Sequence, residues 1–181
     1  GQIYFYSGLL RSADNAAEVA AVMCHEVAHV TERHIAQRLV AAYGVQALAS
    51  AALGQNPGLL AQLATSIGAQ GFMLKYSRDM EKEADLVGFE FMTDTDFDPV
   101  GFVTYFEKLT GQGPNVPTFL RSHPSPGDRL DYLRTALSAY GDPPGDTLGR
   151  ERHQQILQRL DAPKATSMNR RGHYVCGQNT I

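Results

Sequence analysis

The chain has 181 residues, 43% of them apolar, with 16 basic against 19 acidic side chains and a formal net charge of -3. That length buries one sizeable core and leaves too little for two large domains, so residues 1–181 are read as a single domain. The arginines are scattered, which argues against nucleic acid as a partner, and two distant cysteines, Cys24 and Cys176, cannot build a disulfide framework.

The opening GQIYFYSGLL lacks a basic start, an apolar core and a small-residue cleavage site, so no signal peptide is read there and the start looks cut or processed. Ile3–Tyr6, aromatic and β-branched and stopped by Ser-Gly, is expected to be a strand. A helix follows, with Asn15 as its cap and Glu18 three residues later, where its carboxylate returns a bond to the cap and meets the positive helix end. LVAAYGVQALASAAL, Leu39 to Leu53, is too short to span a membrane and carries Gln46 and Ser50, so no transmembrane segment is expected. A second alanine-rich piece follows GQNPG, and 39–74 therefore reads as a helical hairpin, either packed internally or in peripheral contact with a membrane or a partner. YSRDMEKEADLVGFEFM is a further helix ended by TDTDFDP, and PVGFVTYFEKLT is another, broken by GQGPNVP. SPGDRLDYLRTAL begins with Ser125 as cap, Pro126 at the first helical position and Asp128 in the first turn. DPPGD then separates a last amphipathic helix, Gly149 to Leu160, from a polar tail with no assigned structure.

Within the first long helix, AVMCHEVAHV sets His25 and His29 four residues apart, ~40° from each other around the axis, so both imidazoles reach one metal ion. Glu26 points to the side of that ion, placed to hold a water and not to ligate. HExxH alone equally describes two ordinary helix histidines, and a hydrolytic zinc needs a third protein ligand beside an open position for water. A histidine six residues beyond His29 after a glycine is excluded, because those positions are Ile35 and Glu32. His34 lies about 180° around the helix from His25 and reads as a polar surface residue. The alternative is a glutamate from a second helix, and EKEAD offers Glu81 with Asp85 on the same face, while Glu83 and Glu90 point elsewhere. Glu81 is thus the expected third ligand of one zinc ion, and Asp85 the acceptor for a ligand's free ring N–H. For either carboxylate taken alone, a solvated charged face is the competing reading. Cys24 reads as a small buried hydrophobe, and His153 and His173 as solvated.

Three blocks in order, GLL…NAAEVAAVMCHEVAHVTERH, YSRDMEKEADLVGF and SHPSPGDRL, resemble the gluzincin metallopeptidase family of the CAAX prenyl endopeptidases and HtpX-like proteases, over about residues 1–137. The resemblance implies an α+β, mainly helical zincin fold with a small sheet whose edge strand flanks the active-site helix and cleft, and a C-terminal helix and tail over 138–181. It implies His25, His29 and Glu81 as metal ligands, Glu26 as the catalytic glutamate and Asp85 as a supporting acid. It also places His123 by the metal, as oxyanion stabiliser or as a fourth zinc ligand at rest, and Arg129 near the site. From the residues alone, His123 before a proline is an extended loop residue, and Arg129 fits a surface ion pair.

The implied activity is that of a zinc-dependent endopeptidase with Glu26 as general base, acting on peptide or unfolded protein whose extended backbone pairs with the edge strand. The membrane-embedded branches carry hydrophobic spans around these blocks, and this chain looks like the soluble branch, which acts in the bacterial periplasm or cell envelope on misassembled proteins. The competing classes are a latent protease or chaperone-like binding module with a blocked zinc site, and a purely structural metal.

Overall fold

A computed structural model describes residues 3–59, 61, 76–110, 123, 127–141, 148–162, 166–168 and 174–176. Among these, the helices are α1 (Ser7–Ser12), α2 (Ala16–Thr31), α3 (His34–Tyr43), α4 (Val45–Ala52), α5 (Arg78–Thr93), α6 (Val100–Thr110), α7 (Arg129–Tyr140) and α8 (Arg150–Asp161). The second alanine-rich piece apart from Leu59 and Ala61, the GQGPNVP break, Ser125, Pro126 and His173 lie outside the described residues.

α2 is the central element, packed between α5 and α6. Asn15 caps it by accepting from the Glu18 backbone N–H at 3.0 Å, as its sequence position predicts. The Glu18 carboxylate returns its bond one residue earlier than expected, to the backbone N–H of Asp14 at 2.9 Å, and is matched by Lys108 at 2.6 Å. Along α2 the buried residues Ala17, Ala21, Val22, His25, Ala28 and His29 recur at helical spacing, and the alanines keep the buried face flat. Partner helices come close as a result. A Cβ on Gly88 of α5 would lie 2.9 Å from the His25 backbone nitrogen, and one on Gly101 of α6 would lie 2.4 Å from the Ala17 carbonyl oxygen. Around this contact Phe89, Met92, Phe102, Tyr105, Phe106, Leu109 and Leu133 form the core.

α5 begins where Ser77 accepts from the Met80 backbone N–H. α7 packs on both α5 and α6, which brings the start of α7 over the buried end of α5, where His123 also meets Glu81. α8 seats on α1 and α2. His153, expected to be solvated, is buried there and its Nε2 lies 2.9 Å from the Ala13 carbonyl oxygen, because α8 turns that face inward.

Two further expectations change. The Leu39–Leu53 stretch is not one helix: Gly44 adopts φ 79°, ψ 151°, a conformation suited to glycine, and splits it into α3 and α4. Ile3–Tyr6 is not a strand among the described residues and runs directly into α1. A ladder needs a second segment alongside, and no described residue pairs with this one. Among the described residues, β1 (Thr166–Met168) pairs antiparallel with β2 (Tyr174–Cys176), inside the tail that carried no assignment. The fold is thus mainly helical, and the small sheet expected beside the site helix is not found among the described residues.

Candidate functional site

His25 and His29 project from one face of α2, and Glu81 meets them from the first turn of α5. His123 arrives from the segment before α7. These four buried residues each offer one donor atom, all within 4.8 Å of one another. The His25 and His29 Nε2 atoms are 3.0 Å apart, each lies 3.5 Å from a Glu81 oxygen, and His123 Nδ1 is 3.3 Å from His25 Nε2 and 3.0 Å from Glu81 Oε1. Ligand bonds to zinc in a tetrahedron put donor atoms roughly 3.3 Å apart. The spacing fits one such cation, and nitrogen and oxygen lone pairs crowded in a buried place need a cation or shared protons between them.

Without a cation, protons take that part. Burial opposes charging His25, but its bonds to Asp85 and Glu81 outweigh burial and raise its pKa to about 9. Burial lowers His29 to about 4 against the pull of Glu81. Burial would raise Glu81, but the bonds from His123, His25 and His29 hold it well below the usual carboxylate range.

Behind the donors lies a second layer. His25 Nδ1 is 2.8 Å from Asp85 Oδ1. Arg129 donates from Nε and Nη2 to the two Asp85 oxygens at 2.7 and 2.6 Å, reaches Glu81 at 3.4 Å, and lies with its guanidinium carbon 3.6 Å from the Phe106 ring centre. Arg129 is 1% exposed, so the surface ion-pair reading does not apply to it. Tyr132, one turn along α7, donates its hydroxyl to Asp85 as well. Glu26 sits at the rim, a quarter exposed, with Oε1 3.3 Å from His123 Nε2.

Sequence reasoning misplaced His34. His34 is 0% exposed, with Nδ1 2.7 Å from His29 Nδ1 and Nε2 3.1 Å from Glu83 Oε2. Counting 100° per residue fails because α2 ends at Thr31 and Arg33 adopts a left-handed φ of 55°, which folds the start of α3 back under His29. A non-glycine residue held there costs about 1–3 kcal/mol and persists only where surrounding contacts fix it. Tyr76 was missed too. It stacks on His29 with ring centres 3.9 Å apart and on His123 at 5.1 Å, with the Arg38 guanidinium 4.8 Å from its own ring centre. Burial and the charge of Glu26 push its hydroxyl up to about 12. A lone tyrosine ahead of a helix cap has no periodicity or ligand spacing to mark it.

Residues 1–137 match Peptidase family M48. The chain is 34% identical over 146 residues to the beta-barrel assembly-enhancing protease of Escherichia coli, which covers 74% of this chain and 30% of that protein. It is 32% identical over 143 residues to the mitochondrial metalloendopeptidase OMA1 of Schizosaccharomyces pombe, covering 76% of this chain and 41% of that one. It is 32% identical over 148 residues to the Escherichia coli metalloprotease LoiP, covering 78% and 57%. The chain therefore spans less than a third of the length of the first of these relatives.

Proposed function

This chain belongs to Peptidase family M48, and on that premise we propose that it is a zinc-dependent endopeptidase, with His25, His29 and Glu81 as metal ligands. The observation that carries this is the buried convergence of donors from two helices beside the accessible Glu26 carboxylate. A zinc ion bound there supplies Lewis acidity toward a water and a peptide carbonyl. Glu26 takes the proton of the attacking water and returns it to the leaving amine. Asp85 fixes the His25 ring with its Nε2 turned inward, and Arg129 and Tyr132 hold Asp85 in turn. The stretch Ile3–Tyr6, with Tyr4 and Tyr6 exposed, is the proposed backbone partner for extended peptide.

A second reading has support in the position of His123. Its Nδ1 lies among the donors, where a fourth ligand belongs, while its Nε2 faces Glu26. In this arrangement the protease is latent until His123 leaves both partners. One relative is named for enhancing β-barrel assembly, which supports protein substrates in the bacterial periplasm or envelope. Peripheral contact through 39–74 belongs to the same reading, as does a single domain over 1–181. No helix among the described residues is long and apolar enough to cross a membrane.

Glu26→Gln tests the central claim. It should keep the parent's zinc stoichiometry while casein cleavage falls about 10²–10⁴-fold, the usual worth of a positioned general base. Cleavage at the parent's rate would remove Glu26 from the chemistry.

A further inference from the structure

His25 and His29 are oriented by different devices. Behind His25 stands a carboxylate, Asp85, at 2.8 Å. Behind His29 stands another imidazole, His34 at 2.7 Å, and behind that a carboxylate, Glu83 at 3.1 Å. We propose that His34 and Glu83 form a two-step relay that positions His29 as a metal ligand, linking the buried centre to a carboxylate at the surface. The inference rests on the metal-site reading above.

Hydrogen bonding permits one consistent proton arrangement. For His29 to offer a lone pair at Nε2, which faces His25 and Glu81, its proton must sit on Nδ1. Nδ1–H then donates to His34 Nδ1, which must be bare, so the His34 proton sits on Nε2 and is donated to Glu83 Oε2. Each donor has an acceptor, and the chain ends on a side chain that is 52% exposed. The Tyr76 ring stacked on His29 leaves the imidazole free to slide in its plane, whereas the bond to His34 fixes its direction. Two acids of α5 outside the donor set, Asp85 and Glu83, thus orient the two ligand histidines, the first directly and the second through His34.

The test uses the full chain. Zinc affinity is measured by competition with a chromophoric chelator for the parent and for His34→Phe, His34→Asn, Glu83→Ala and Glu83→Gln, beside visible spectra of the cobalt-substituted proteins and unfolding midpoints in EDTA. His34→Phe should weaken zinc binding about 10–100-fold, the usual cost of losing a ligand's supporting partner. Glu83→Ala should weaken it less and shift the cobalt bands, and should lower the metal-free midpoint only slightly, because Glu83 is half-exposed and the truncation admits water to His34 Nε2. Asn at 34 puts an oxygen where Nδ1 was, and Gln at 83 keeps the acceptor, so both should recover toward the parent. Should His34→Phe fail to fold, the Glu83→Ala and Glu83→Gln pair decides alone. Affinities and cobalt spectra indistinguishable from a zinc-binding parent would overturn the relay. A parent that binds no zinc would overturn the metal reading, and the relay with it.

Discussion

Truncating Arg129 leaves Glu81 and Asp85, both fully buried, without the cation that lies between them. Arg129→Ala should therefore destabilise the metal-free protein by about 3–5 kcal/mol, as expected when one partner of a buried pair is removed. Arg129→Lys should recover only part of this, because an ammonium cannot reproduce the two-pronged contact with Asp85. Denaturant unfolding in EDTA reads both. His123 has the opposite sign for activity. Its removal frees the fourth donor position and the Glu26 carboxylate together, so His123→Ala should cleave casein faster than the parent if the arrangement seen is the resting one. Slower cleavage at undiminished zinc content would assign His123 to the oxyanion instead.

Among the elements, the pairing of α2 with α5 sets the distance between the histidines and Glu81, and Gly88 sets the pairing. A methyl group at that position would meet the backbone of Cys24 and His25 at about 3 Å, and backbone cannot give as a side chain does. Gly88→Ala should cost about 1–3 kcal/mol and weaken zinc binding, since the helix carrying Glu81 must shift. Gly101→Ala meets the Ala17 carbonyl on the other side of α2, remote from Glu81, and should cost stability with a smaller effect on the metal. Calorimetry with zinc titration separates the two. The start of α2 was legible in the sequence because caps are local, as Asn15 shows. The break at Arg33 was not, since arginine carries no signal for a left-handed backbone. A count of residues therefore sent His34 to the surface. Ile3–Tyr6 is not a strand among the described residues for a related reason: composition reports fitness for a ladder, and tertiary pairing decides whether one forms.

At the scale of the whole molecule, the donors come from α2, α5 and the segment before α7, so a cation bound among them would tie three parts of the chain together. Free zinc at a hundredfold excess over its dissociation constant should add about 2.7 kcal/mol of stability. For a chain of this size that raises the melting temperature by roughly 2–4 °C per kcal/mol, and EDTA should reverse it. A melting temperature indifferent to zinc and chelator would mean the cluster holds no ion. By itself the sequence determined which donors exist and the local geometry that gathers them: His25 with His29, and Glu81 with Asp85, each share a face because a helix repeats every 3.6 residues. Whether those faces meet, whether Arg129 is buried between two acids, and whether His34 stands behind His29 were decided by tertiary packing. Helical periodicity acts within one segment, whereas convergence depends on how closely separate segments approach and on where the backbone turns between them.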